Sequence, residues 1–139
     1  LNGMTIAKIL VGVMIVGLCT GLSFINSGTL IGEVGVYEGN CMPSPGVPPC
    51  EPQPLSALLY ITQPGEKFNP ELVVDSVRSD RKGQFSLDLA AGDYSIFVKD
   101  GSQITCTVTS CPAQCYCLPI KVRSDSTTRL EVTLDHATW

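Results

Sequence analysis

The sequence predicts an all-β sandwich of seven to eight short strands, preceded by a single transmembrane α-helix. Three observations predict it: an apolar run at residues 6–25, alternation of apolar and polar residues in the segments beyond it, and six cysteines gathered in the later part. A chain of 139 residues holds one core but not two once its N-terminus is set aside, so the expected division is a helix and hinge at 1–27 and one folded domain at 28–139.

Lys8 is the only charge in the apolar run. About twenty residues at about 1.5 Å each span about 30 Å, the hydrocarbon thickness of a bilayer. A lysine at the N-terminal edge predicts a cytoplasmic N-terminus and an exported domain. Three fates compete for the run: a signal peptide cleaved near Gly21-Leu22-Ser23, a lipoprotein signal acylated at Cys19, and a retained signal anchor. Leu18 is a poor residue before a lipidated cysteine, and the run belongs to the chain, so the anchor is expected. Gly17-Leu18-Cys19-Thr20-Gly21 sets small residues four apart, where a second helix can approach closely; Gly12, Gly17 and Gly21 are the candidate helix-packing positions.

Cys41, Cys50, Cys106, Cys111, Cys115 and Cys117 make an even set behind an export-type segment, which reads as three disulfides in an oxidising compartment. The last four are separated by gaps of four, three and one residues, unlike the paired C-x-x-C of zinc sites, so no metal is expected. Cys41 and Cys50 are expected to pinch one loop shut. Folding 104–122 about a tip at 110–114 brings Cys106 opposite Cys117 and Cys111 near Cys115, although four cysteines permit three connectivities and the spacing does not choose.

The expected strands are 30–37, 55–62, 72–79, 84–89, 93–99, 104–108, 118–122 and 128–135, separated by Gly, Pro, Asn and Asp. In the last, Leu130, Val132 and Leu134 alternate with Arg129, Glu131, Thr133 and Asp135, the mark of one buried and one wet face. Asn26 to Gly28 reads as a polar hinge. Asp80 and Gly83 are expected to close a hairpin, with Ala91-Gly92-Asp93-Tyr94 making the next. Phe85, Leu87, Leu89, Tyr94, Ile96 and Val98 are expected in the core. Between the first two strands, prolines at 43, 45, 48, 49, 52 and 54 cannot donate ladder hydrogen bonds, which predicts a stiff, ordered loop. Met42, Pro43, Pro45, Val47, Pro48 and Pro49 are its candidate partner-binding residues.

Ser79-Asp80-Arg81-Lys82-Gly83-Gln84-Phe85, then Leu89, Gly92-Asp93-Tyr94 and Ile96-Phe97-Val98-Lys99-Asp100-Gly101, resemble the carboxypeptidase regulatory-like domains of the wider transthyretin-like (prealbumin-like) group. Tyr37-Glu38-Gly39-Asn40-Cys41-Met42-Pro43 and Asp135-His136-Ala137-Thr138-Trp139 look like a subgroup of exported proteins of Bacteroidota and related bacteria. The resemblance covers about residues 31–139. It implies a Greek-key, transthyretin-like β-sandwich and a module without enzymatic activity; Lys8 and the cysteines add the expected place, the periplasmic side of a bacterial inner membrane. The hydroxyisourate hydrolases are similar in fold only: their chemistry calls for several histidines and a C-terminal Tyr-Arg-Gly-Ser, whereas His136 is the one histidine here and the chain ends Ala137-Thr138-Trp139.

The residues offer no catalytic set. A Ser-His-Asp arrangement would need His136, at the fringe of the last strand, and there is no G-x-S-x-G elbow, phosphate loop, EF-hand or histidine cluster. No catalytic residue, cofactor, metal or small-molecule substrate is expected. All thirteen acidic residues follow the apolar run, as does every basic residue but Lys8; an acidic domain disfavours nucleic acid. The first functional expectation is an accessory subunit whose helix packs in a multi-subunit membrane complex, respiratory or photosynthetic, and whose sandwich braces the periplasmic face. The second is a membrane-tethered binding module for glycan or protein. The third is a pilin-like filament subunit, which ranks last because the start of the helix lacks an acidic residue. Trp139 is expected to cover the open end of the sandwich.

Overall fold

The computed structural model describes residues 26–111 and 113–139. The expected membrane helix, with Gly12, Gly17, Cys19 and Gly21, lies outside them. Among the described residues, no helix is long and apolar enough to cross a membrane.

The described chain is an all-β sandwich. In order, its strands are β1 (Ser27–Tyr37), β2 (Gln53–Pro54), β3 (Leu58–Thr62), β4 (Val73–Arg78), β5 (Gln84–Ala90), β6 (Gly92–Asp100), β7 (Gln103–Cys106), β8 (Thr109–Ser110), β9 (Tyr116–Cys117), β10 (Ile120–Val122) and β11 (Thr127–Asp135). A 3-10 turn at Pro70–Leu72 precedes β4. β1 is the spine of a four-stranded sheet: it runs parallel to β11 from Thr29 to Tyr37 and antiparallel to β5 and then β2 on its other edge. β6 is the spine of a five-stranded sheet, with β3 and then β4 on one edge and β10 and β7 sharing the other.

Alternation along these strands builds the core. Leu30, Val34 and Val36 of β1 face Leu59 and Ile61 of β3 and Ile96 and Val98 of β6, with Phe85, Leu89, Val122, Leu130, Val132 and Leu134 closing the sides. Each such side chain, fully buried, contributes about 1.5–3 kcal/mol over its exposed state. Leu87 and Tyr94 are half-buried against this cluster. Gly32 occupies an inward position of β1 because the ring of Phe85 lies where its Cβ would stand.

Four local expectations change. Residues 27 and 28 are strand rather than hinge: Ser27 and Gly28 pair with Ala90 and Leu89, which draws them into the ladder. The turn at Asp80 to Gly83 forms, with Asp80 Oδ1 accepting from the N–H groups of Lys82 and Gln84 at 2.9 Å each and Gly83 at φ +78°. It is not a hairpin, however, since β4 lies in one sheet and β5 in the other. Ala91 likewise makes a corner between sheets, from β5 into β6. Finally, the expected strand 55–62 is broken: Leu55 N–H donates to Val34 O at 3.0 Å in continuation of β2, and pairing with β6 begins only at Leu59.

β6 departs from simple alternation. Ser95, Ile96, Phe97 and Val98 are all buried. Phe97 belongs to the outer face, where Phe68 packs edge-on against it at 5.6 Å and Tyr60 meets Phe68 at a tilt, 5.0 Å between centroids. The link between β3 and β4 therefore folds back over its own sheet, held by Gly65 N–H donating to Ser95 Oγ at 3.0 Å.

Candidate functional site

At the far ends of β1 and β11 the two segments stay side by side beyond their strands. His136 N–H donates to Tyr37 O at 2.8 Å, Thr138 N–H to Gly39 O at 2.8 Å, and Cys41 N–H to Thr138 O at 2.7 Å. This parallel run delivers Trp139 to the root of the proline loop. Asn40 Oδ1 accepts from the N–H of Met42 at 3.0 Å, and Val47 N–H donates to Ser44 O at 3.2 Å, so the loop turns at both its entry and its tip. A disulfide between Cys41 and Cys50 ties its ends, Cα to Cα 5.5 Å.

The result is an open cleft of about 350 Å³ between loop and tail, lined by Asn40, Met42, Ser44, Val47, Pro48 and Trp139 together with Pro43, Pro49 and the cystine. Met42, Val47 and Trp139 are 52%, 62% and 56% exposed, an apolar group that the fold leaves uncovered. Of the loop residues singled out by sequence, Met42, Pro43, Val47, Pro48 and Pro49 line the cleft and Pro45 does not. The sequence missed Asn40, Ser44 and Trp139 as lining, since only the parallel pairing of β1 with β11 brings the tail to the loop.

Trp139 does not cover the open end of the sandwich. Its Nε1–H donates to both carboxylate oxygens of Asp135, at 2.9 and 2.8 Å, and its ring meets Tyr37 edge-on at 5.5 Å. These contacts hold the indole outside the core, beside an outward-facing side chain of β1, while one flank stays open to solvent.

His136, next to this cleft, places Nε2 2.8 Å from Asp100 Oδ2. The hydrogen bond to Asp100 raises its pKa above the ordinary histidine value; desolvation opposes this, and the charges of Asp100, Glu38 and Asp135 reinforce it. Glu38, Glu51 and Asp135 are exposed, and residues 37–54 and 135–139 contain no Lys or Arg. Among the described residues, no three His, Cys, Asp or Glu side chains converge to hold a metal ion.

The other four cysteines of the described residues lie elsewhere. Between β7 and β10 the chain leaves the edge of β6 after Thr107, whose N–H donates to Ile96 O at 2.9 Å, and returns at Ile120. The excursion is the β8/β9 ladder, with Cys106 bonded to Cys117 at its base and Cys111 to Cys115 at its tip. Only this outer part is a hairpin; the 104–106 and 120–122 arms pair with β6 and not with each other, because β6 is long enough to take one on each half of its edge.

Fold and site together define a disulfide-braced β-sandwich with an exposed apolar cleft at the end of β1 opposite Ser27. Ten residue steps of about 3.3 Å separate the two, about 33 Å. No protein-family model matches the chain, and no curated protein matches it. Among the solved structures similar to it are the following two. One is GBS52, the minor pilin of Streptococcus agalactiae, at 10% identity and a TM-score of 0.44, over 80% of this chain and 45% of that one. The other is a DUF3823 family protein from Parabacteroides merdae, at 19% identity and a TM-score of 0.41, over 78% of this chain and 46% of that one. The chain thus spans less than half the length of either structure.

Proposed function

We propose that this chain is a non-catalytic docking module of the transthyretin-like group, displayed on the periplasmic side of a bacterial membrane by its N-terminal segment and engaging a protein partner through the proline-loop cleft. The observation that carries the reading is the cleft itself. A disulfide, an Asn40 turn and a three-bond parallel tail hold Met42, Val47 and Trp139 exposed, where a folded domain without a partner gains nothing from fixing apolar side chains in water. Preorganisation of that kind lowers the ordering cost of binding. The cleft also sits about 33 Å from the end that the N-terminal segment enters, so an anchored domain would hold it clear of the bilayer. The small-residue stripe Gly12, Gly17 and Gly21 supports a narrower version, in which the partner is a neighbouring subunit of one membrane complex.

A photo-crosslinking residue at Val47, introduced into the full chain in cells, tests the reading. A discrete adduct at Val47, absent when the same residue replaces Val74 on β4 and diminished by Trp139→Ala, is the expected result. No adduct at Val47, or the same adducts from both positions, overturns it.

A further inference from the structure

We infer that the cleft takes a cationic protein segment, with a Lys or Arg side chain laid on Trp139 and apolar residues flanking it. This rests on the reading of the cleft as a docking site and names what it selects.

Three observations converge. Trp139 spends its only side-chain hydrogen-bond donor on Asp135, at 2.9 and 2.8 Å, and meets Tyr37 in a T-shaped contact at 5.5 Å, yet stays 56% exposed, so what it offers a ligand is open aromatic surface. An aromatic face is negative and attracts ammonium and guanidinium groups, Trp most strongly. Second, the segments that build the cleft carry Glu38, Glu51 and Asp135 against no Lys or Arg, and the one group there that can turn cationic, His136, is paired with Asp100. Such a field repels an acidic segment and draws in a basic one. Third, the lining itself carries no charged side chain and is mostly apolar, with Met42, Val47 and Pro48 beside Asn40 and Ser44. A bare metal ion gains nothing from that surface, and no three ligating side chains converge there among the described residues. A lysine or arginine uses both parts, its methylene stem on the prolines and its charged head over the ring. The cleft is open rather than enclosed, which suits an extended chain passing through it.

The chain contains a single tryptophan, so its fluorescence reports occupancy of the cleft directly. The full chain in detergent micelles is titrated with acetylated, amidated peptides Pro-Leu-Lys-Leu-Pro, and with the same peptide carrying Arg, norleucine or Glu at the centre. The Lys and Arg peptides are expected to bind about tenfold more tightly than norleucine, and Glu more weakly still. Added salt should narrow the gap, and Glu38→Gln with Glu51→Gln should narrow it further. Labelled-peptide anisotropy extends the test to Trp139→Leu, which should remove most of the preference and leave only its salt-sensitive part, and Trp139→Phe, which should retain more of it; near-ultraviolet circular dichroism of the Glu38→Gln/Glu51→Gln pair confirms folding. Equal affinity for the Lys and norleucine peptides overturns the inference while leaving the docking reading intact. Absence of binding by every peptide also overturns it. Failure of Val47 to cross-link, with charge-selective binding preserved, overturns the docking role in the cell and leaves the selectivity of the cleft standing.

Discussion

His136, just past β11, reaches across to Asp100 at the end of β6, with Nε2 2.8 Å from Oδ2, and so joins the two sheets at the end of the sandwich that bears the cleft. The hydrogen bond to Asp100 lifts the histidine pKa above its ordinary value of about 6.5. A folded-state pKa above the unfolded one means that the pair's contribution is whole below about pH 6.5 and fades as pH rises through the folded value. Proton NMR of the His136 ring should give a midpoint above 6.5, moving down in Asp100→Asn. Urea midpoints of wild type and Asp100→Asn should differ in acid and merge in base. A gap that widens with pH would mean that the neutral imidazole, not the imidazolium, is the partner of Asp100.

Ser79 is 1% exposed and closes the break between β2 and β3. Its Oγ–H donates to Leu55 O at 2.7 Å and its Oγ accepts from Ala57 N–H at 2.8 Å. Ser79→Ala strands a buried donor and acceptor at once, so urea unfolding should show a loss of about 1–3 kcal/mol. Ser86→Ala, on the exposed face of β5, should stay within about 0.5 kcal/mol. Equal effects would show that water replaces the hydroxyl.

What the sequence made legible follows from how far each signal reaches. Alternation over 128–135 located β11 and its buried Leu130, Val132 and Leu134, because inward and outward faces are fixed by strand geometry alone. Asp80 and Gly83 announced their turn because side chain and φ act within four residues. Turn chemistry reverses a backbone but does not say which sheet receives the next strand, so the sheet changes at 79–83 and at Ala91 were invisible. Phe97 shows a different limit: it follows Ile96 in the strand and must face outward, and its burial depends on Phe68, twenty-nine positions earlier in the chain, folding over it. The cleft has the same origin. The stiffness of the proline loop is written locally, but its wall at Trp139 exists only because β11 lies parallel to β1, a pairing between opposite ends of the domain.

Gly32 tests the packing of that paired sheet. A Cβ there would meet the Phe85 ring at 2.6 and 2.8 Å and crowd Leu130 O, which is backbone and cannot swing away. Gly32→Ala should therefore destabilise the domain by about 1–3 kcal/mol, as overpacking does, despite the better strand propensity of alanine. Gly32→Ala combined with Phe85→Leu should lose less in urea melts than the two single variants summed, because the smaller side chain relieves the ring contact though not the one with Leu130 O; strictly additive losses would place all the strain at Leu130 O.

The two small disulfide loops separate cleft order from domain stability. The Cys41–Cys50 and Cys111–Cys115 bridges span sequence separations of 9 and 4, for which the chain-entropy model gives about 3 and about 2 kcal/mol. Prolines at 43, 45, 48 and 49 already restrict the unfolded loop, so less freedom is left for the first bridge to remove and its figure is an upper bound. Cys41→Ser with Cys50→Ser should thus cost no more stability than Cys111→Ser with Cys115→Ser, within about 1 kcal/mol. The two pairs should differ at Trp139: opening the proline loop removes the opposite wall of the cleft and should red-shift and broaden the tryptophan emission, whereas opening the β8/β9 tip should leave the spectrum unchanged. Identical spectra from both double variants, at matched stability, would mean that Asp135 and Tyr37 position the indole without help from the loop.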